Sequence, residues 1–589
     1  MPIFLEAEAL EKRKIEPHWW HYGRRCKPRI LIVTDGGLNF EMADAFGLGR
    51  FVHAIAHHSS ATLKPRLTLA HRGGHVPSVT ISGTTYSVAS GFDFDTATPA
   101  VNRTNYDQIW LFGISQSPIS DAEVQTLAEF MNNRGGVFAT GDHTNLGAGM
   151  SARLPRIRHM RNWNTATAGG VPMGREDLPT SLERIDTMVD PGANELYQFN
   201  DQSDDIPQRI YPNYAVTGTN RFDWVATIHP ILRMPGMRLS RGPQDAGFGQ
   251  GGGLNIGAPS FSNDIDVLPD HPHESECFEV SDDENTAAFN GTYAEASLSF
   301  DEFPMASNGS GRVPAEIAAF SVSGGRTIQN GTWKPPVRPR MFGAISTFDG
   351  RKAQSSGSRQ PGRIVCDATW HHFVNINLDG MGSGRDGLGS WSGGTFTPSA
   401  DLLKIYKYYQ NMVAWLQPSN RIWCLYYIYM AKACYLHPMR EELMEFEKIE
   451  SDDDIRALGQ TMMGAIDAVY GAGASRDLVA ASLNEVEKEP RLAVMLDVHE
   501  DVLSPAEIDH VVAEIIGHAA ADVVPHLPNP TVIAEDDKDA DEAEERLHKR
   551  FESEFPERLV KVAEAALTAQ VKRRAEAHKQ RQEKLARFR

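Results

Sequence analysis

The chain has 589 residues, too long for one ordinary core, so two or three domains are expected. Hydrophobic residues at 41% and charged residues at 23% match a soluble globular protein rather than a disordered or membrane-embedded one. A formal net charge of -19 repels polyanions, so nucleic acid is not expected as a general partner, although a local basic patch stays compatible with it.

The first residues, MPIFLEAEALEKRK, place acids at Glu6, Glu8 and Glu11 and lack the basic-then-apolar order of a signal peptide. Cys26, Cys277, Cys366, Cys424 and Cys434 are scattered and form no CxxC pair, which suggests neither a disulfide framework nor a thiolate zinc site. A reducing cytoplasm is the expected setting. Residues 1–24 read as an extension.

An α/β pattern begins at residue 25. Ile30–Thr34 (ILIVT) is a short, wholly apolar, β-branched run of the kind buried on both faces of a parallel sheet, and it ends in Asp35-Gly36-Gly37. Met42–His57 reads as a glycine-interrupted helix. Leu67–Ala70 and Gln108–Phe112 are the next strand candidates. Ser120 with Glu123 forms a capping box, Val124, Leu127, Ala128 and Met131 follow at helical spacing, and Gly135-Gly136 closes the helix before the strand Val137–Thr140. This order predicts a doubly wound, flavodoxin-like, mostly parallel sheet with helices on both faces.

Between about 150 and 360 the pattern loosens into Gly-, Pro- and Asn-rich stretches, read as a loop-rich, β-containing insertion. Gly362–Leu378 restores a strand-like run, Gly380–Gly394 is a glycine-rich loop without the Gly-Lys-Ser/Thr of a phosphate-binding loop, and Tyr406–Leu416 reads as a helix returning to the sheet. The α/β domain thus spans 25–418.

A helical domain is expected over 419–530. Ile422–Leu436 is apolar but shorter than the ~20 residues that span a bilayer and is interrupted by Lys432, so it reads as a buried helix and no membrane is expected. Asp452–Tyr470 carries Ile455, Leu458, Met462, Ile466 and Val469 on one stripe, and Ser504-Pro505-Ala506-Glu507 is a helix start. Residues 531–589 form a charged helix or tail, acidic over Ala534–Glu545 and then basic, with nine Lys/Arg against three Glu over Leu559–Arg589.

Open parallel sheets bind ligands outside the carboxyl ends of their strands. Three polar turns fall there: Asp35-Gly36-Gly37, Gly113-Ile114-Ser115-Gln116-Ser117 and Gly141-Asp142-His143-Thr144-Asn145. The run Gln108–His143, with its strand, polar turn, capped helix, Gly-Gly, strand and Gly-x-His, resembles the nucleophile-turn region of the class I glutamine amidotransferase-like superfamily, in particular its ThuA-like (trehalose-utilisation-like) branch, where histidine replaces cysteine. His229-Pro230-Ile231-Leu232 and Asn411–Leu416 also resemble ThuA-like segments. The resemblance covers about residues 25–418, interrupted by the insertion. No cysteine lies at the turn, so glutaminase activity is not expected.

The resemblance implies a hydrolase- or lyase-like enzyme acting on a small polar, carbohydrate-derived substrate. His143 would act as general base or metal ligand, Asp142 and Asp35 would orient or ligate, and His371 or His372 would be the second acid/base, with Ser115, Asn145 and Arg153 touching substrate. In an extended segment only one of His371 and His372 would face the site. The loop Asp270-His271-Pro272-His273-Glu274 is a nitrogen/oxygen ligand set, so His271, His273 and Glu274 are candidate ligands for zinc, iron or manganese, with a solvated loop as the plain alternative. Plain readings also exist for Asp35 as a cap of its own turn, for His143 as a backbone-bonded turn residue, and for Arg153, Arg156, Arg158 and Arg161 as a solvated, salt-bridged face. The rival is a non-catalytic scaffold forming a homo-oligomer through its C-terminal helices.

Overall fold

A computed structural model describes residues 27–61, 63–142, 146–163, 207–220, 223–238, 240–241, 262–269, 276–325, 328–329, 332–333, 337–355, 359–418, 421, 451–470, 473–486, 505–523 and 555–587. The extension 1–24, the Ile422–Leu436 segment and the acidic Ala534–Glu545 run lie outside these residues.

Apolar β-branched runs build the centre of the molecule. Ten strands form one mixed, mostly parallel sheet: β1 Arg29–Thr34, β2 Arg66–His71, β3 Ser78–Ile81, β4 Thr84–Ser90, β5 Gln108–Phe112, β6 Gly136–Thr140, β7 Tyr211–Pro212, β8 Ala315–Gly325, β9 Val337–Phe348 and β10 Ile364–Asp367. Their order is β3-β4-β2-β1-β5-β6-β10-β9-β8-β7. Neighbours from β4 through β10 pair in parallel. The flanking pairs β3–β4, β10–β9, β9–β8 and β8–β7 are antiparallel. Strands β7, β8 and β9 come from the span read as an insertion, and they extend the main sheet. β3 and β4 meet in a tight hairpin whose two turn residues, Ser82 and Gly83, both have positive φ (49° and 79°), the twist-matching geometry of a two-residue loop.

Alternation along the parallel strands sorts side chains onto two buried faces. Ile30, Ile32, Trp110, Phe112, Phe138 and Val365 pack toward helices α1 (Gly49–Ala56) and α3 (Ala400–Trp415). Leu31, Val33, Ile109, Leu111, Val137 and Ala139 face α2 (Asp121–Asn132). The capping box starting α2 forms as the sequence implies: Ser120 Oγ accepts from Glu123 N at 3.2 Å and Glu123 Oε2 from Ser120 N at 2.9 Å.

The strand-like reading of Gly362–Leu378 holds only as far as Asp367. Asp367 Oδ1 accepts the Thr369 amide at 3.2 Å and Thr369 Oγ1 accepts the His371 amide at 3.1 Å, which bends Trp370–His372 into a 3-10 turn before the short helix Asn375–Asp379.

Beyond residue 450 the described elements are four helices, α4 Asp452–Tyr470, α5 Ala474–Val486, α6 Pro505–Val523 and α7 Phe555–Arg587. The first matches the stripe read from the sequence, with Leu458, Met462 and Ile466 buried. α4 and α6 approach at glycines: a Cβ on Gly459 would stand 1.7 Å from the Ala513 carbonyl oxygen, and one on Gly517 would stand 2.0 Å from that of Ile455. Arg233 is tied to Asp477 of α5 at 2.6 Å, fastening helices to the α/β part. Among the described residues no helix is long and apolar enough to cross a membrane.

Phe51 of α1 sits fully buried among Trp110, Phe112, Phe373 and Tyr409, with ring centroids 5.1–5.6 Å away. Phe51→Ala should therefore cost about 3–5 kcal/mol, read as a lowered urea midpoint; a midpoint near wild type would contradict this packing. His53, on the same helix, bonds Ser82 Oγ at 2.6 Å and is pushed down to about 4 by burial, then by Arg50, His58 and His57. Between its ordinary 6.5 and about 4 the unfolded chain binds a proton that the folded chain excludes, so stability present above pH 6.5 declines as the pH falls through that window. His53→Gln should flatten the decline in urea midpoint between about pH 7 and about pH 5; an unaltered profile would exclude His53 as its source.

Candidate functional site at the carboxyl edge of the sheet

The order of the sheet reverses between β1 and β5, because the chain runs from β1 outward to β2 on one side and from β5 outward to β6 on the other. Such a reversal leaves a crevice beyond the strand ends. Asp35, 4% exposed, spans it: its Oδ1 accepts the Ile114 amide at 2.6 Å and the Ser115 amide at 2.9 Å. It thus holds the β5 turn instead of capping its own. Burial pushes its carboxyl up from the usual range, opposed by those two amides and by Arg72 and His71.

His71, at the end of β2, has no counterpart in the sequence reading. Its Nδ1 accepts the Gly73 amide at 2.9 Å, which puts the neutral ring's proton on Nε2, 3.3 Å from the Gly36 carbonyl. Ser115 lies beside Asp35, with its Oγ accepting the Ser117 amide at 3.2 Å. Glycines let the next turns meet. A Cβ on Gly113 would lie 2.8 Å from Gly147 Cα, and Gly147 itself has φ +89°.

One strand further, β6 and β10 end together, with Thr140 opposite Asp367. Asp142 is fully buried, and its Oδ1 accepts Thr369 Oγ1 at 2.9 Å. Its Oδ2 lies 3.4 Å from His371 Nε2. The His371 side chain, 19% exposed, stacks on Trp370 with centroids 4.2 Å apart and places Nδ1 3.2 Å from Asn377 Oδ1. The loop after β1 closes over this turn: Phe46 meets Trp370 edge-on at 5.6 Å, and Asn375 donates to the carbonyls of Glu41 and Asp44. Two buried groups, Thr34 Oγ1 at the end of β1 and Trp370 Nε1 in the 3-10 turn, have no hydrogen-bond partner among the described residues.

His372, expected as an alternative acid/base, lies instead in the core. It is 0% exposed, its Nδ1 is 2.6 Å from Asp367 Oδ1, and its carbonyl accepts Tyr409 OH. Asp367 Oδ2 accepts Tyr408 OH at 2.8 Å, and burial followed by that carboxylate raises the Tyr408 phenol well above its ordinary value. The 3-10 turn separates the two histidines, not strand alternation.

Arg161 changes the reading of the basic stretch. It is 1% exposed and donates through Nη2 to the carbonyls of Asp142 and Ala368 (3.1 and 2.7 Å) and through Nε to that of Asp367 (3.1 Å), lying 4.5 Å above the Trp163 ring. Arg156 is equally buried, so half of the four arginines are internal. Arg153 is held by Asp121 at 2.5 Å, Glu295 at 2.6 Å and the Ile119 carbonyl at 2.7 Å. His143, Asn145, His271, His273 and Glu274 lie outside the described residues. Among the described residues no group of three His, Cys, Asp or Glu side chains could hold a metal.

Asp35→Ala would leave the Ile114 and Ser115 amides without their acceptor, at a cost of about 1–3 kcal/mol. Asp35→Asn keeps an Oδ1 and removes a carboxylate that burial disfavours, so it should destabilise less than Asp35→Ala. Urea unfolding of both variants ranks them, and the reverse order would overturn the bridging role. No family model, no curated protein and no solved structure matches this chain, so its chemistry has to be read from the residues at this edge.

Proposed function

We propose that the chain is a hydrolase- or lyase-like enzyme whose Asp142–His371 pair moves a proton on a small polar substrate at the carboxyl edge of the sheet. The observation that carries this is the facing of His371 Nε2 and Asp142 Oδ2 at 3.4 Å, with His371 Nδ1 already engaged by Asn377. If Nδ1 donates to the Asn377 oxygen, a neutral ring turns a lone pair toward a carboxylate, and a proton between them relieves the clash. If the Asn377 amide is turned and donates instead, Nε2 carries the proton toward Asp142. Either way Nε2 and the carboxylate face each other at a distance across which a proton can be passed, as a general acid/base requires.

Thr369 and Arg161 position Asp142. The order β2-β1-β5-β6-β10 supports the narrower flavodoxin-like description and, with it, the ThuA-like resemblance and its carbohydrate-derived substrates. Fold alone does not fix the reaction. The free, buried thiols of Cys277 and Cys366 fit a cytoplasmic setting.

Hydrolysis of a panel of nitrophenyl esters and glycosides by the full chain tests the proposal. His371→Ala and Asp142→Asn should each lower turnover by about 10²–10⁴ with the thermal midpoint retained. Turnover equal to wild type in His371→Ala would refute the role of this pair. A loss confined to His143→Ala would move the chemistry to that residue. Elemental analysis of the same preparation decides whether zinc, iron or manganese takes part.

A further inference from the structure

Three histidines cluster at the carboxyl end of α1, and two of them reach across to the β3–β4 hairpin. His53 Nδ1 lies 2.6 Å from Ser82 Oγ in the hairpin turn, and His57 Nε2 lies 2.7 Å from Tyr86 OH on β4. His58 Nδ1 accepts the Ser60 amide at 3.3 Å, and Ser60 Oγ in turn accepts the Gln410 side-chain amide of α3 at 2.9 Å. The His53 ring centroid stands 6.5 Å from that of His57 and 5.8 Å from that of His58. Sheet pairing does not hold the turn half of the hairpin: β4 pairs with β2 only over residues 88–90, and β3 pairs with β4 alone. Contact with α1 holds it instead, through the two histidine bonds and the buried Val79 and Ile81.

We propose that this junction is an acid-operated latch, in which protonation of His53, His57 and His58 frees the turn half of the β3–β4 hairpin from α1. While neutral, the three rings hydrogen-bond their partners without a buried charge. As cations they would repel one another across these short separations, and His58 Nδ1 could no longer accept the Ser60 amide. His53 and His57 could still donate to Ser82 and Tyr86, so repulsion and lost hydration, rather than lost hydrogen bonds, drive the hairpin off. Opening brings water to all three rings at once, which couples their protonation into one event.

The charged and titratable groups facing the cluster do not offset this repulsion. From α1 comes Arg50, matched by Asp379 at 2.6 Å, and from the segment after it Lys64. α3 supplies Tyr406, with its ring 5.2 Å from His58 and 6.3 Å from His53. β4 supplies only Tyr86, and β3 carries no ionisable side chain. Burial, followed by Arg50, His58 and His57, pushes His53 down to about 4, and burial followed by Lys64 lowers His57 and His58. No carboxylate opposes these shifts among the described residues. Values below 6.5 in the closed state mean that the latch is stable above that pH and weakens as the pH falls through the window beneath it. Because β4 keeps its pairing with β2, this opening is local and precedes global unfolding.

The experiment is hydrogen–deuterium exchange of the full chain, read by mass spectrometry and corrected for the intrinsic pH dependence of exchange. Between about pH 7 and about pH 4.5 the amides of β3, of the turn and of β4 up to Ser87 should lose protection by about tenfold or more, while β1 and β5 keep theirs. His53→Gln/His57→Gln/His58→Gln should retain hairpin protection at the lower pH. If that variant fails to fold, His57→Gln alone should move the opening midpoint to lower pH. Unchanged hairpin protection in the wild type, equal losses in β1 and β5, a loss in the folded triple variant as large as in wild type, or an unmoved midpoint in His57→Gln would each overturn the proposal.

Discussion

A parallel strand covered on both faces has nowhere to place polar chemistry except its ends, and that constraint organises this protein. From β4 to β10 the strands run in one direction between α1 and α3 on one side and α2 on the other, so their carboxyl ends and turns share one rim. Asp35, His71, Asp142, Asp367 and His371 all belong to strand ends or to the first residues after them. Asp35, His71, Asp142 and the Asp367–His371 turn lie far apart along the chain; the pairings of β2, β1, β5, β6 and β10 set them on one edge.

Burial then makes each polar group depend on its partners. Asp142, Asp367 and Arg161 lie almost wholly out of water, and each is bonded by protein groups: Thr369 to Asp142, Tyr408 and His372 to Asp367, and four carbonyls to Arg161. A buried ion that loses its partner is much costlier than an exposed one. The rim is for that reason a rigid polar lattice, with His371 as its partly exposed member.

The parts of this architecture written in local sequence were readable in advance. ILIVT, QIWLF and VFAT announce buried strands because a short β-branched or aromatic run has few other homes. Ser120–Glu123 and the stripe of Asp452–Tyr470 announce helices for equally local reasons. The β3–β4 hairpin went unread although Ser82-Gly83 between alternating residues carried its signal. Asp367 was read as part of an extended run because its capture of the Thr369 amide is a side-chain event that strand propensity does not register. Arg161 and Tyr408 were beyond sequence reasoning. An arginine among arginines looks solvated, and only the return of β10 beside β6 brings Arg161 the carbonyls of Asp367 and Ala368.

Asp35 also acts as an anion that the protein supplies to itself. In many open α/β sheets, amides at the reversal point are free to greet the phosphate or carboxylate of a ligand. Here those of Ile114 and Ser115 are already satisfied by a carboxylate that cannot leave. This pair of amides therefore offers no open donor at the reversal point. The β5 turn is thereby closed by the chain's own carboxylate, and its two amides are spent on holding the fold.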